Sequence, residues 1–241
     1  MSGHSKWANI HRTKEKMDAK RGKIFTKIGK EIMVAIKTGG SADPNINTKL
    51  YAVIQKAKAN NMPNDNINRL LKKASGENGG ANYSEILYEG YGIGGSAVLV
   101  YTLTDNKNRT AGDVRHAFEK HGGSLGNSNC VSFMFERKNL ITIEASEKFS
   151  EDDVMMQSLE LNAEDVKNCE TVYEIYFDSS TDINELKIAY ENAGFTVLGA
   201  ENSMVPSTYV SLTEEQYEKF QKMIDILEDM DDVEEVYHNV E

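Results

Sequence analysis

Apolar residues recur at three- and four-residue steps through the first third of the chain, then switch to alternation. Ile24, Phe25, Ile28, Ile32 and Ala35 form one stripe, which predicts an amphipathic helix from about Asp18 that stops at Gly39-Gly40. Leu50, Ile54 and Ala57 predict a second helix between Asn47 and Asn60. Pro63 is placed to open a third, carried by Ile67, Leu70, Leu71 and Ala74 and ended by Gly76. Three short helices with one apolar centre make a small bundle.

Residues 75–82, SGENGGAN, have linker composition. Beyond them EILYEGYGIGG and SAVLVYTLT predict two strands joined by a glycine-shaped hairpin loop. Gly90, Gly92 and Gly95 match dinucleotide-binding spacing. That fingerprint needs a helix directly after it, and here a strand follows. A helix is expected next, with Thr110 and Asp113 as its capping start and Val114, Ala117, Phe118 and His121 as its buried stripe.

From residue 138 the pattern is strand (NLITIEA), helix capped by Ser150 and strand (AEDVKNCE). A second strand (TVYEIYFDS), a helix from Thr181 to Gly194 and a strand (FTVLGAEN) follow. This βαββαβ order is the ferredoxin-like plan. A strand TYVSL, a helix capped by Thr213 and Gln216, and a strand VEEVYHNV close the chain. That tail is incomplete unless residues 85–136 supply its other half. The expected fold class is α+β: an N-terminal three-helix domain, then two ferredoxin-like α+β domains, one inserted in the other. The expected boundaries are 1–80, a discontinuous domain of 81–137 and 205–241, and an inserted domain of 138–204.

Charge changes this picture from architecture to partners. Residues 1–75 carry 16 Lys and Arg against 5 Asp and Glu, whereas residues 76–241 carry 11 against 33. A basic end on an acidic body suits a polyanion partner. At about 100° per residue, Lys20, Lys23, Lys27, Lys30 and Lys37 cluster roughly opposite the apolar stripe of the first helix. Lys6, Trp7, His11, Arg12, Lys14 and Arg21 extend the positive surface. Trp7 either stacks on a base or pins the tail to the bundle. These eleven residues are the candidate nucleic-acid contacts. Lys107 and Arg109, just before a predicted helix N-terminus, are a candidate secondary anion contact. The acidic run EDMDDVEE is expected to be a solvated helix end, since it lacks calcium-loop spacing.

Other classes find little support. No apolar run approaches the ~20 residues of a membrane span, and the start lacks a signal-peptide core. Cys130 and Cys169 stand alone and read as reduced thiols of a cytoplasmic protein. His116 and His121 are five apart, a poor metal pair. No nucleophile, base and anion donor assemble in the sequence, so no enzyme, no cofactor and no metal are expected.

Taken together, GHSKWANI, DAKRGKIFTK, NNMPNDNI, YEGYG, TDNKNRT, RHAFEKHGGSLG and EDMDDVEEVYHN resemble the YebC/PmpR family, which includes the mitochondrial translational activator of cytochrome oxidase subunit one. The resemblance spans the whole chain. Two positions depart: the family's His-Arg-Lys is His11-Arg12-Thr13-Lys14 here, and Ile93 stands where the glycine loop usually has Pro. The resemblance implies a three-domain, cytoplasmic, non-enzymatic regulator. Its members look like DNA-binding transcriptional regulators in some settings and ribosome-associated translation factors in others. Expected partners are therefore DNA, or ribosomal and transfer RNA with the ribosome, and no membrane. For base reading, Asn64, Asn66, Asn68 and Arg69 on the third helix are the nearest candidates.

Overall fold

A computed structural model describes residues 17–75 and 83–241, with side chains from Gly22 onward. The chain divides into two compact units: Phe133–Ser211 with Asn239–Glu241, and Leu212–His238 with the described chain up to Ser132. Each is built around one four-stranded antiparallel sheet.

The larger unit begins with helices α1 (Met17–Gly39), α2 (Thr48–Ala59) and α3 (Asn64–Ser75). Ile28, Ile32, Leu50, Ile54, Ala57 and Ile67 form its buried centre, with Ile24, Phe25, Leu70 and Leu71 packed at the margin. All three stripes expected of the sequence thus form or line the core. Asn47 caps α2, its Oδ1 accepting from the Leu50 N–H at 3.1 Å, while its amide donates to Ala35 and Ser41 carbonyls, both at 2.8 Å. One buried side chain so closes the α1–α2 turn and starts the next helix.

The same unit holds the sheet β3-β1-β2-β8, with β1 (Ser84–Tyr91), β2 (Ala97–Thr104), β3 (Ser124–Leu125) and β8 (Val233–His238). Helices α4 (Lys107–Lys120) and α7 (Glu214–Asp229) pack against each other and the sheet. Phe118, Phe220, Met223 and Leu227 are fully buried there, each worth roughly 1.5–3 kcal/mol of burial. A Cβ at Gly90 would sit 2.7 Å from both the Phe118 ring and the Ser124 carbonyl, so the glycine permits α4 and β3 to pack closely on β1.

Two local expectations fail here. Helix α4 starts at Lys107, capped by Asn106, three residues before Thr110. Asn106 is the better cap because its carboxamide reaches the Arg109 N–H at 3.1 Å, leaving Thr110 free to turn inward. TYVSL forms no strand; Val210 makes only a single bridge to Val240.

The smaller unit carries β4 (Phe135–Glu144), α5 (Glu151–Glu160), β5 (Asp165–Asn168), β6 (Val172–Asp178), α6 (Ile183–Asn192) and β7 (Val197–Pro206). Its sheet order is β5-β6-β4-β7, the arrangement that a βαββαβ chain adopts in the ferredoxin-like plan. Ser150 caps α5 as expected, and Asp153 completes a capping box that the sequence reading did not name. Ile141, Ile143, Ile175, Phe177, Leu186 and Tyr190 fill the core between helices and sheet.

Candidate nucleic-acid interface

Lys23, Lys27 and Lys30 follow one another at four- and three-residue steps and so share one face of α1. That face does not meet solvent alone. It lies against the end of α7 and the turn into β8. Lys23 Nζ donates to the Asp229 carbonyl at 3.1 Å and pairs with its carboxylate at 2.7 Å. Lys27 Nζ donates to the Glu228 carbonyl at 2.9 Å, and Lys30 Nζ to the Asp231 carbonyl at 2.9 Å. Lys30 also pairs with Asp232 at 2.6 Å and is only 9% exposed. Burial pulls the Lys27 amine below the ordinary lysine range, against the attraction of Glu234, Glu228, Asp231 and Asp229.

The physical reason lies in α7 itself. Its last turn contains no basic residue. The last carbonyls of a helix lack intrahelical partners and carry the negative end of the macrodipole. Acidic Glu228 and Asp229 sit at that end, where the dipole disfavours them. The α1 lysines supply the missing donors and the missing charge. The acidic run is thus solvated in part, as the sequence had suggested, with Glu228, Asp229 and Asp231 exposed, but it also serves as the partner of the α1 lysines, with Asp232 largely covered.

Asp232 is the hub of this contact. Its carboxylate accepts from Lys30, from Arg109 Nη2 at 2.6 Å, from Thr110 Oγ1 at 2.9 Å and from Thr104 Oγ1 at 3.0 Å. Burial alone would raise its pKa, but the bonds from Arg109, Lys30 and Thr110 hold it well below the usual carboxylate range. Arg109 also pairs with Asp105 at 2.8 Å. The guanidinium expected to hold an external anion is occupied by two internal ones, while Lys107 lies exposed. A cleft of about 440 Å³ opens here, lined by Lys30, Tyr83, Asp105, Arg109, Asp113 and Asp232 among others, with its cations already matched.

A second polar contact joins α1, α2 and β8. Glu31 pairs with Lys56 at 2.8 Å. Glu234 lies nearby with a buried Oε1 that no N–H or neutral hydroxyl reaches. Burial, then the negative charge of Glu31, push the Glu234 carboxyl up to about 8. A proton on Glu234, donated to the Glu31 carboxylate, accounts for both facts.

The remaining cations of the bundle are different. Lys49, Lys58, Arg69, Lys72 and Lys73 are exposed and make no ion pair among the described residues. Arg69 Nη2 donates to Asn66 Oδ1 at 2.8 Å, which holds the guanidinium in place on α3. Tyr51 on α2 is 52% exposed. Lys37 is exposed in the last turn of α1. Lys6, Trp7, His11, Arg12 and Lys14 lie outside the described residues, and Lys20 and Arg21 fall in the first turns of α1, of which only the backbone is described. Among the described residues, no three His, Cys, Asp or Glu side chains gather as a metal-binding group. Both cysteines are free thiols; burial pushes Cys169 up to about 11.

The described residues give a helical segment rich in Lys and Arg followed by two antiparallel sheets with helices packed on them, an α+β protein. Comparison with known proteins gives it a family. Residues 5–77 match the TACO1/YebC protein N-terminal domain, and residues 83–240 match the TACO1/YebC second and third domain. The chain belongs to the TACO1/YebC family. It is 56% identical over 241 residues to the "Probable transcriptional regulatory protein ORF2U" of Hathewaya histolytica, covering 100% of this chain and 97% of that one. It is 52% identical, with the same coverage, to the "Probable transcriptional regulatory protein Teth39_1009" of Thermoanaerobacter pseudethanolicus. The fold matches the crystal structure of the conserved hypothetical protein Aq1575 from Aquifex aeolicus, with TM-score 0.80 and 42% identity over 93% of this chain and 92% of that one.

Proposed function

We propose that this protein is a nucleic-acid-binding regulator of gene expression that acts on transcription by engaging duplex DNA through its N-terminal helical segment. The observation that carries the reading is the separation of charge: 16 Lys and Arg against 5 Asp and Glu in residues 1–75, and the reverse bias beyond. Cations gathered on one segment neutralise phosphates and release counterions, which gives affinity without demanding a pocket. The regulatory names of its relatives agree with such a role. No side chain is assigned to catalysis and no cofactor is needed.

A second reading is RNA or ribosome binding in support of translation. What favours it is the body's excess of acid, 33 Asp and Glu against 11 Lys and Arg, which repels a long duplex laid across it. Structured RNA docked at one end avoids that repulsion. Salt titrations of binding to duplex DNA and to purified ribosomes, run side by side, separate the two. Sequence-dependent DNA binding that survives physiological salt, with indifferent ribosome binding, is the expected result. Ribosome binding that persists while DNA binding fades without sequence preference would replace the first reading with the second.

A further inference from the structure

We propose that the DNA-contacting surface is the outward side of α2 and α3, formed by Lys58, Arg69, Lys72 and Lys73 with Tyr51 and Asn68, and not the lysine row of α1. This rests on the nucleic-acid reading above and locates its site.

The first support is the accounting of charge. Lys23 and Lys30 already hold the carboxylates of Asp229 and Asp232, Lys27 donates to the Glu228 carbonyl, and the Asp232 side chain is only 12% exposed. A phosphate arriving at that face would have to displace a carboxylate and helix-end carbonyls that are covalently tethered in place. Segment 48–75 contains six Lys and Arg residues and a single acid, Asp65. Of those six, only Lys56 has an acidic partner, Glu31. The others keep their full attraction for an external phosphate.

The second support is geometry. Arg69, Lys72 and Lys73 are exposed within about one turn of α3, with roughly 6 Å of rise between Arg69 and Lys73. Tyr51 and Lys58 are seven residues apart on α2, so they lie within about 20° of each other on one exposed flank. Asn66 holds Arg69 in a fixed orientation, which lowers the entropy lost when the guanidinium meets a phosphate or a guanine edge. Asn68, exposed on the same flank as Lys72 four residues on, is the residue type that reads adenine. The α1 row offers only lysines.

Two full-length triple variants, each removing three positive charges, test the assignment: K58Q/R69Q/K72Q and K23Q/K27Q/K30Q. Duplex DNA affinity is measured across salt, and thermal unfolding of each protein is recorded alongside. The expected result is at least a tenfold loss for the α2–α3 variant at unchanged Tm, with the salt slope falling by about 3. The α1 variant should keep its affinity within about threefold and lose thermal stability. If it does not fold, the single K23Q variant, whose pair is half-exposed, carries the same comparison.

A tenfold loss in the folded α1 variant or in K23Q, with none in the α2–α3 variant, would overturn the proposal. Equal losses in both triples would overturn it too. Wild-type protein that binds no duplex DNA at about 50 mM salt would instead overturn the functional reading on which it rests. Binding confined to RNA through the same α2–α3 residues would overturn the commitment to DNA.

Discussion

The bundle carries two sets of cations that look alike in sequence and differ in what surrounds them. On α1, Lys23 and Lys27 close onto the acidic end of α7 and reach its last carbonyls, while Lys30 binds the Asp231 carbonyl and the Asp232 carboxylate in the turn beyond. On α2 and α3, Lys58, Arg69, Lys72 and Lys73 stand exposed with no acid opposite them. The lesson is that a lysine row marks a binding face only after the protein's own anions have been matched against it. An amphipathic helix has two flanks beside its apolar stripe, and either can be turned toward a neighbouring element.

The strongest way to break this comparison is at Asp232. Asp232→Asn leaves Lys30 and Arg109 without their shared carboxylate, and loss of a buried partner typically costs about 3 kcal/mol. A fall of several degrees in Tm, read by thermal unfolding, is expected. The pH dependence follows from the same site. Asp232 is held below its ordinary value in the folded protein, so its contribution is present above the unfolded carboxylate range near 3.8 and is lost as pH falls through the lower folded value. Wild-type protein should therefore lose stability in acid more steeply than D232N.

Next in size is the Glu31–Glu234 pair, which acts in the opposite direction. The folded Glu234 pKa is raised, so stability is fully present below about 4.5 and drains away as pH climbs toward about 8. Glu234→Gln supplies a permanent donor to Glu31. It should flatten that part of the stability curve and raise stability at pH 9 by about 1 kcal/mol, measured by denaturant unfolding at several pH values. An E234Q curve parallel to wild type would remove the shared proton from the picture.

The smallest effect belongs to the half-exposed pair. Asp229→Asn should cost about 0.5 kcal/mol or less, since Lys23 and Asp229 are both partly solvated and Lys23 retains the Asp229 carbonyl. A cost above about 2 kcal/mol would mean that the α7 end depends on this carboxylate far more than its exposure allows.

Much of the architecture was legible in the residue pattern because packing enforces it. The stripe of Ile28, Ile32 and Ala35 is buried as spaced, Ser150 caps α5 and the Thr213–Gln216 box caps α7 as expected, and the 138–204 order gives the ferredoxin-like sheet. Failures fell where two local options competed. Asn106 outcompeted Thr110 as the cap of α4, and Thr110 instead turned in to Thr104 and Asp232.

The pairing of the α1 lysines with the α7 end was hidden because its partners lie about 200 positions apart. Yet a signal existed. Glu228 and Asp229 occupy the negative end of a helix that has no basic residue in its last turn. Acids placed against the dipole call for a cation from elsewhere in the chain. Read that way, the EDMDD run points back to a basic face as well as outward to water.

The most direct measurement is lysine labelling of the native protein, free and bound to duplex DNA, quantified residue by residue by mass spectrometry. If the two sets differ as described, Lys30 resists modification in both states, while Lys58, Lys72 and Lys73 react readily in the free protein and become protected by DNA. Ready labelling of Lys30 and Lys27 in the free protein, with protection of both on DNA binding and none on α2 or α3, would contradict it.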